Sequence, residues 1–410
     1  MPKNFVVIGL FLFALVSFTH GGWVNQHTGA NILFDLDFPQ GNIQTGFACG
    51  ENSFALKTTN GGQEWTSMRT MASGNLNAIN FPQDDLNGFI ACDSGNIQLT
   101  TDGGDYWELV NTGTGNNLYA IHFPVSSNFG VAVGAGGTIK RTNDGGRTWE
   151  DGTIAFNQDL TDVVFRNEGM GWVVGDNGTI AFSQDGGISW EMKTSNVNTR
   201  LLGVTFLDDN TGWVVGAART CLKTTDGGQT WDSLPIPVPE GTDLYSIIFL
   251  DQDHGFACGT YGKIARTING GATWDVTNLL YHFYRIEFPL DNLTGWVCGL
   301  SEAIFKTIDG GWLQETNFEP VVAERVIRSE PNPFRVSTCL KMSYPVKGIT
   351  ALKIYDRTGN LVRSLKLNDG GNTQWDGRND SGLRVKSGVY LIEAVANQPV
   401  TARLKLVLLD

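Results

Sequence analysis

The sequence predicts an all-β protein: a seven-bladed β-propeller closed by an N-terminal strand, followed by a small β-sandwich. The first observation is a motif of the form Thr-x-Asp-Gly-Gly-x-x-Trp, whose tryptophans recur at intervals of 42, 42, 41, 41 and 43 residues. Such a period is typical of repeat proteins, in which each unit buries its faces against its neighbours. Short apolar runs also alternate with Gly, Asn and Asp turns, as in antiparallel sheets. Finally, the period ends near residue 326 and a different pattern begins.

Each repeat contains four predicted strands, which together make one propeller blade. The second strand is a glycine-bounded apolar run such as Gly171 to Gly175, and the third leads into the Asp-Gly-Gly turn. The first strand is close to Leu-x-x-Ile-x-Phe, and its copies begin at Leu33, Leu76, Leu118, Leu160, Leu201, Leu244 and Phe283. The fourth strand begins at the tryptophan of the motif, at Trp65, Trp107, Trp149, Trp190, Trp231 and Trp274.

The seventh repeat lacks a fourth strand of this kind, because Gln314 stands where the tryptophan is expected. The segment that begins at Trp23 precedes the Leu33 run much as the segment from Trp107 precedes Leu118. We therefore expect Trp23 to begin the strand that completes the seventh sheet and removes the exposed edges of an open array. In the alternative, residues 312–325 form this strand and residues 23–30 stay outside the ring.

Residues 1–21 are typical of a secretory signal peptide. Lys3 precedes an apolar run from Phe5 to Phe18, and Thr19 and Gly21 stand at the −3 and −1 positions of a cleavage site. That run is too short to span a bilayer. We expect the propeller at residues 22–326, a C-terminal domain at residues 327–410, and a mature protein that leaves the cytoplasm.

Charge is divided unequally between these two parts. Residues 1–326 carry 16 basic and 35 acidic groups, a net charge of −19, whereas residues 327–410 carry 13 basic and 7 acidic groups, a net charge of +6. The acidic main body disfavours nonspecific binding to nucleic acid or anionic lipid.

Three of the six cysteines share a repeat position that valine fills in other copies: Cys49, Cys258 and Cys298. A position shared with valine is a buried strand position, and equivalent positions of different blades lie too far apart for a disulfide. We expect buried free thiols there, while Cys92, Cys221 and Cys339 have no assigned role.

The aspartates of the repeated turn are predicted to be structural. They are Asp102, Asp144, Asp185, Asp226 and Asp309, and asparagine takes the same position at residues 60 and 269. Because asparagine serves equally well, the side chain is expected to cap backbone N–H groups rather than to carry out acid–base or metal chemistry. The tryptophans of the same motif are predicted to be structural too.

The sequence gives little support to catalysis. The acidic pairs Asp84-Asp85 and Asp208-Asp209 have the composition of a glycosidase dyad, but both fall in a loop between the first and second strands, where polar turn residues are expected. Histidine is rare, no His/Cys spacing indicates a metal, and no Gly-x-Ser-x-Gly motif occurs. We expect neither a metal nor a cofactor.

The repeated motif resembles the Asp-box of sialidases and related propellers, as seen from Thr142 to Trp149 and from Ser183 to Trp190. The longer unit from Gly171 to Trp190 is similar to repeats of the photosystem II stability and assembly factor family. That resemblance covers residues 23–320 and implies a seven-bladed propeller. It implies little about function, because fold alone does not determine function.

The C-terminal region resembles the sorting domain of cargo of the type IX secretion system. It resembles equally the immunoglobulin-like domain of the flagellar hook-capping protein. The motifs are Pro331 to Phe334, Ile354 to Gly359, Trp375 to Arg378 and Ser387 to Tyr390. The resemblance implies export by a type IX-like route, with contacts to the secretion machinery through residues 327–410.

One repeated position is basic in five of seven copies, eight residues before the tryptophan position: Lys57, Arg141, Lys223, Arg266 and Lys306. Leu99 and Phe182 occupy it in the other two copies. These cations are expected to form a broken ring, which we call the basic ring. Pairing with local carboxylates is one explanation. The other explanation is a binding site for an acidic partner, because the assembly factors that this chain resembles are thought to hold a partner protein on a basic patch.

We therefore expect a non-enzymatic, monomeric binding scaffold, secreted from or displayed on a Gram-negative bacterium. Its partner is expected to be a protein or a cell-surface polysaccharide. Two alternatives stay open: a glycan hydrolase with its site in the central channel, and a purely structural surface protein.

Overall fold

A computed structural model describes residues 19–20, 22–124, 128–153, 155, 157–311, 327–330, 334–342, 349–356, 361–367, 372–396 and 403–409. The chain divides into two compact units, Met1–Gln314 and Glu315–Asp410. The expected signal peptide lies almost wholly outside the described residues, and so does the predicted boundary at residue 326. In the described ranges, no helix has the length and hydrophobicity needed to cross a membrane.

Seven antiparallel sheets, numbered here as blades 1 to 7, form the first unit. Their innermost strands are Leu33–Asp37, Leu76–Asn80, Leu118–His122, Leu160–Phe165, Leu201–Phe206, Leu244–Phe249 and Phe283–Glu287. The second strands are Gly46–Gly50, Gly88–Cys92, Gly130–Gly134, Gly171–Gly175, Gly212–Gly216, His254–Gly259 and Gly295–Gly299. The third strands are Ala55–Thr58, Asn96–Thr100, Ile139–Thr142, Ile180–Ser183, Cys221–Thr224, Lys263–Ile268 and Ile304–Thr307. The outer strands of blades 1 to 6 are Thr66–Ser67, Glu108–Asn111, Glu150–Asp151, Glu191–Lys193, Asp232–Ser233 and Asp275–Asn278.

Short 3₁₀ turns follow most of the second strands, at Glu51–Ser53, Asp93–Gly95, Ala135–Gly137, Asp176–Gly178, Thr260–Gly262 and Leu300–Glu302. Each innermost strand contacts the innermost strand of the next blade, and that of blade 7 contacts that of blade 1. The seven strands therefore enclose a central channel.

The core lies between the blades. In every second strand, the five residues that start at its glycine are all buried. A strand covered on both faces is apolar at every position rather than at alternate ones. This is why runs such as Gly-Trp-Val-Val-Gly mark the second strand of a blade.

Aromatic rings join neighbouring blades. An aromatic residue of one second strand stacks on the phenylalanine that ends or follows the innermost strand of the next blade, with centroid distances of 3.6 Å for Phe47–Phe81 and 3.5 Å for Trp213–Phe249. The first glycine of the second strand makes room for that phenylalanine, because a Cβ atom at Gly46 would lie 2.3 Å from the ring of Phe38. Each such pair stabilises the fold by about 0.5–1.5 kcal/mol beyond burial of its area.

The motif tryptophans pack edge-on against the same phenylalanines. The six pairs are Phe38–Trp65, Phe81–Trp107, Phe123–Trp149, Phe165–Trp190, Phe206–Trp231 and Phe249–Trp274. Each tryptophan thus anchors the outer strand of a blade to its innermost strand.

The N-terminal strand Trp23–His27 closes the ring. It pairs antiparallel with Ile304–Thr307, with Trp23 opposite Thr307, and the two-residue strand Thr19–His20 pairs with it in turn. Trp23 is fully buried and lies edge-on to Phe288 at 6.2 Å, in the place that the motif tryptophan takes in other blades. The predicted seven-bladed propeller with N-terminal closure is confirmed, and the alternative strand at residues 312–325 is wrong because this place is already filled.

All six cysteines are free, and five of them are buried: Cys49, Cys92, Cys221, Cys258 and Cys298. Burial raises the pKa of the Cys92 and Cys221 thiols to about 12. These side chains are unreactive apolar groups at ordinary pH.

The second unit is a β-sandwich of two sheets, as predicted. One contains Ile327–Glu330, Thr338–Met342 and Asn372–Trp375, and the other contains Leu361–Lys366, Ile349–Tyr355, Gly388–Ala396 and Arg403–Leu408. Trp375 is fully buried at its centre and contacts the rings of Phe334 and Tyr390, with centroid distances of 5.5 and 5.0 Å. Residues 331–333 of the first C-terminal motif lie outside the described residues.

Candidate functional site

The repeated Asp-Gly-Gly turn, called here the Asp-box turn, is a closed hydrogen-bond network. In blade 5, Thr224 Oγ1 donates to Asp226 Oδ1 at 2.8 Å and accepts from the backbone N–H of Gly228 at 2.9 Å. Asp226 Oδ1 also accepts from the backbone N–H of Thr230 at 2.9 Å. The bonds between the first two side chains recur in the other blades, at Thr58–Asn60, Thr100–Asp102, Thr142–Asp144, Ser183–Asp185, Thr267–Asn269 and Thr307–Asp309.

These hydrogen bonds lower the pKa values of aspartates in the Asp-box turns. Hydrogen bonds from Thr148 lower the pKa of Asp144 to about 2, and those from Thr230 lower the pKa of Asp226 to about 2. A carboxylate whose oxygens accept several N–H and O–H bonds is held in its charged form. The arrangement is that of a turn cap.

The loop acids Asp84 and Asp208 also cap turns. Asp84 Oδ1 accepts from the backbone N–H groups of Leu86 and Asn87 at 3.0 and 2.8 Å. Asp208 Oδ1 does the same for Asn210 and Thr211 at 2.8 and 2.7 Å. Both side chains follow the local pattern of Asx turns rather than facing a substrate site.

The cations of the basic ring reach across to the next blade. Four of them donate to the carbonyl of the first glycine of the next Asp-box turn: Lys57 Nζ–Gly103 O at 2.7 Å, Arg141 Nε–Gly186 O at 3.0 Å, Lys223 Nζ–Gly270 O at 3.2 Å and Lys306 Nζ–Gly61 O at 2.8 Å. Several also lie over a second-strand ring, such as Lys306 at 4.8 Å from the centroid of Trp296. These contacts hold neighbouring blades together; a binding role for the basic ring stays a prediction.

Arg266, the fifth cation, is buried beside the turn of blade 7. Its guanidinium carbon lies 5.9 Å from the centroid of Phe256. A Cβ atom at Gly310 would lie 3.9 Å from the same carbon. Burial lowers the pKa of Arg266.

In blade 4, an indole N–H replaces the basic side chain as the donor to the next Asp-box turn. Phe182 occupies the basic position there, and the indole N–H of Trp172, on the second strand, donates to the carbonyl of Gly227 at 3.1 Å. Side chains of different types thus donate to the carbonyl of the first glycine in the Asp-box turn.

Polar side chains on the innermost strands link the blades inside the channel. Asp35 Oδ2 accepts from the backbone N–H of Ile79, and Asp162 Oδ2 accepts from that of Val204, each at 2.9 Å. His122 Nδ1 accepts from the backbone N–H of Phe165 at 3.2 Å. The sequence did not single out these channel residues. The signal that could have found them is a charged residue at the third or fifth position of a Leu-x-x-Ile-x-Phe run.

The junction of blades 1 and 7 holds the densest group of charges in the channel. Arg285 Nε lies 3.2 Å from Asp35 Oδ1. Burial raises the pKa of Asp37 to about 7 and that of Asp162 to about 6. Burial, and then the neighbouring Asp37, raise the pKa of Glu287 well above its usual value. The raised pKa favours the neutral form of Glu287, which can donate its proton to the Asp37 carboxylate.

The channel offers little space for a substrate. The cavity lined by the innermost strands of blades 3 to 7 measures about 150 Å³, below the roughly 300–1,000 Å³ of ordinary small-molecule sites. Within the described ranges, no group of three or more His, Cys, Asp or Glu side chains is arranged to hold a metal ion.

One mouth of the channel carries two neighbouring groups of rings, which we together call the aromatic arc: Phe34, Tyr245 and Tyr284, and the pair Tyr261 and His282. The innermost strands start at this mouth, because Leu33 pairs with Gly50 at the end of the second strand. Ring centroids lie 4.8 Å apart for Tyr245–Tyr284, 6.1 Å for Phe34–Tyr284 and 5.4 Å for Tyr261–His282. Tyr261 is 61 % exposed.

Comparison with known families supports the two-part organisation. The family model of the photosynthesis system II assembly factor YCF48 matches residues 105–191 and 152–240. The model of the FlgD immunoglobulin-like domain matches residues 342–399. Among curated protein sequences, none matches the chain significantly.

Solved structures share the fold at low sequence identity. A structure of YCF48 bound to a D1 peptide is 19 % identical, with a TM-score of 0.59, over 71 % of this chain and 98 % of that one. YCF48 from Cyanidioschyzon merolae is 19 % identical, with a TM-score of 0.58, over 70 % of this chain and 98 % of that one. PorZ of Porphyromonas gingivalis, described as a surface component of the type IX secretion system, is 13 % identical, with a TM-score of 0.55. The match covers 94 % of this chain but only 60 % of PorZ.

Proposed function

We propose that this chain, which has the fold of the YCF48 and PorZ propellers, is a non-enzymatic platform that binds a protein partner at the aromatic arc. The observation that carries the proposal is the arc itself: aromatic side chains from blades 1, 6 and 7 meet at one mouth of the channel. Tyrosine and other aromatic residues are enriched at protein interfaces, because they offer a large contact area and lose little conformational entropy. One YCF48 structure contains a bound peptide, which makes a protein segment a better candidate than a surface polysaccharide.

The test is capture of a partner from the envelope of the producing organism by the full mature chain. The variant Tyr245→Ala/Tyr284→Ala removes the centre of the arc, and Tyr106→Ala is the matched control, since Tyr106 is 62 % exposed on an Asp-box turn. We expect the wild type and the control to retain the same partner and the arc variant to lose it. Equal capture by all three would overturn the choice of surface.

The basic ring is the second candidate surface, and it favours an acidic partner. Lys57 and Arg141 keep 21 % and 13 % of their side-chain areas exposed. Replacing all five cations with glutamine would remove their charge and leave hydrogen-bond donors for the turn carbonyls. Loss of the partner from this variant, but not from the arc variant, would assign the binding site to the basic ring.

We also propose that the C-terminal unit directs export by a type IX-like route, which would place the propeller outside the cell. The match to an immunoglobulin-like domain and the shared fold with PorZ support this proposal. Deletion of residues 327–410 in the producing organism should retain the propeller in the periplasm. Fractionation with antibodies to the propeller measures this, and unchanged surface exposure would contradict it.

A glycan hydrolase stays an alternative beside a purely structural surface protein, because the channel contains carboxyl groups with raised pKa values. Strongly shifted groups in a cleft are a common mark of catalytic sites. Release of fluorophore from a panel of fluorogenic glycosides, abolished by Asp162→Asn, would establish the enzyme. No release above the level of the Asp162→Asn variant is expected.

A further inference from the structure

We infer that the segment bound at the aromatic arc is an extended peptide that presents lysine or arginine side chains to the channel mouth. This inference rests on the proposed function and adds the chemistry of the partner. It is the opposite of the acidic partner that the basic ring suggests.

Carboxylates surround the mouth that carries the aromatic arc. They form a group that we call the acidic belt: Glu51, Asp93, Asp159, Asp176 and Asp243. Glu51, Asp93 and Asp176 begin the 3₁₀ turns that follow second strands. Asp159 and Asp243 directly precede the innermost strands of blades 4 and 6. Ends of second strands and starts of innermost strands lie at the same edge of every sheet, so all five surround one mouth.

Backbone N–H groups hold four carboxylates of the acidic belt in place. Asp159 Oδ1 accepts from the N–H of Gly136 at 2.8 Å, and Asp243 Oδ1 accepts from that of Ala218 at 3.0 Å. Asp93 and Glu51 accept from the preceding loops of their own blades at 3.1 and 3.0 Å. Charged groups already held in place bind an oppositely charged partner without an ordering cost.

Only one of the five carboxylates has an ion-pair partner in the part of the chain that the structure describes. Arg200 Nε lies 2.9 Å from Asp176 Oδ1. The backbone N–H groups that hold the other four carry no full charge and leave their negative charge in place. The same edges also carry Arg219, which pairs with Glu240, together with Lys263 and Glu302. Acids still outnumber bases there, which gives this mouth a negative potential that attracts cations and repels anionic partners.

The belt and the arc occupy the same surface. Burial, then Tyr284 and the charge of Asp243, raise the pKa of the arc residue Tyr245 to about 12. Burial also raises the pKa of Tyr119, which lies outside the arc on the innermost strand of blade 3, and the charges of Asp159, Asp93 and Asp176 add to this effect. Glu51 acts in the same way on Tyr284, after burial. Carboxylates beside tyrosine rings are the surroundings in which a lysine or arginine is held both by charge and by the face of the ring. A guanidinium suits this surface best, because it also stacks flat on an aromatic ring.

The test uses synthetic decapeptides with a fluorescent label, measured by anisotropy against the full mature chain. The first has arginine at three alternate positions; the other two have citrulline or glutamate there. Citrulline keeps the shape of arginine without its charge. We expect the arginine peptide to bind at least tenfold more tightly than the citrulline peptide. Its binding should weaken as salt increases, because exposed charges are screened.

Two charge variants locate the site. Asp93→Asn/Asp159→Asn/Asp243→Asn removes three charges from the belt, and Glu64→Gln/Asp105→Asn/Glu108→Gln removes three exposed charges elsewhere on the propeller. We expect at least tenfold weaker binding of the arginine peptide for the belt variant and an unchanged affinity for the other. Equal losses would mean that net charge alone attracts the peptide, which overturns the inference. The thermal melting curves show whether each variant is folded, and Tyr245→Ala/Tyr284→Ala serves as a second probe of the site if the belt variant is not.

The two proposals fail in different ways. If the arc variant loses the envelope partner but all three peptides bind alike, the aromatic arc is a binding site and the cationic segment is wrong. If neither envelope capture nor peptide binding depends on the arc or the belt, both proposals are wrong.

Discussion

The carbonyl of the first glycine in the Asp-box turn accepts a side-chain hydrogen bond from the preceding blade at Gly61, Gly103, Gly186, Gly227 and Gly270. Lysine supplies it at Gly103, arginine at Gly186 and an indole at Gly227. The donors differ in chemistry and in the strand from which they come, but the acceptor stays the same. The shared feature is therefore the backbone acceptor rather than a particular donor side chain.

The variant Lys223→Leu copies the residue that occurs naturally at Leu99. It should lower the free energy of unfolding by about 1–2 kcal/mol, because the buried carbonyl of Gly270 loses its donor. Urea denaturation measures the loss, with Lys223→Arg as a control that keeps a donor. An unchanged midpoint would show that water replaces the lysine.

The Asp-box carboxylates should make the fold acid-sensitive. Their pKa values in the folded chain, about 2 for Asp144 and Asp226, lie below the ordinary value of 3.8. Their contribution to stability is therefore complete above pH 4 and is lost as the pH falls towards 2. The variant Asp144→Asn/Asp226→Asn should lose less stability than the wild type between pH 4 and pH 2. Parallel denaturation curves over this interval would contradict the assignment.

At the scale of elements, the junction of blades 1 and 7 differs from the other six. It joins strands from opposite ends of the propeller sequence, and it carries both the Asp35–Arg285 ion pair and the neighbouring acids Asp37 and Glu287. The ion pair holds the two innermost strands together in the channel. The two acids repel each other once both have lost their protons.

The variant Glu287→Gln tests this junction. The pKa of Asp37, about 7, and that of Glu287 are raised in the folded chain. Their contribution is therefore greatest below pH 4 and is lost as the pH rises through 7. We expect Glu287→Gln to be more stable than the wild type at pH 8, with a smaller difference at pH 5. Chemical denaturation at both values measures this, with the exposed Glu240→Gln as control; a difference that does not change with pH would count against the shared proton.

The closing strand is tested by Trp23→Ala. This change should cost about 3–5 kcal/mol, the range for large aromatic residues removed from a core, because Trp23 is fully buried against Phe288. Trp65→Ala, at the equivalent position of blade 1, should have a similar cost if Trp23 is a full member of the repeat. A much smaller loss for Trp23→Ala would mean that the ring stays closed without its N-terminal strand.

At the scale of the whole molecule, the architecture was predictable because every blade repeats the same positions. The pairing of Trp23 with the last blade followed from counting strands and noticing one missing tryptophan. The channel and its mouth were not predictable in the same way. Asp35, Asp162 and Arg285 lie at positions that face solvent in an ordinary amphipathic strand, and they meet only because seven strands converge. Side chains of the aromatic arc are likewise separated by up to 250 residues, as Phe34 and Tyr284 are.

A circular permutant tests how closure contributes to the whole ring. Linking Gly311 to Trp23 through the two residues Gln-Thr copies the turn of blade 5, and new ends can be placed at the exposed loop around Glu240. Every blade then comes from one continuous segment. The strand that begins at Trp23 no longer joins the two ends of the propeller sequence. We expect the permutant to fold but to unfold faster than the parent, in urea jumps followed by tryptophan fluorescence. Equal unfolding rates would show that the innermost strands alone hold the ring.

The pairing of Trp23 with Thr307 also fixes an order of events in time. The closing strand is the first part of the propeller to be synthesised, and its partner strand is among the last. The closing strand therefore stays unpaired while more than 250 residues are added. Blades 1 to 6 can each form from local segments as they emerge, but the seventh cannot. An incomplete chain therefore exposes two unpaired sheet edges. A passage through a membrane as an extended chain would postpone closure of the ring until the chain has reached the far side.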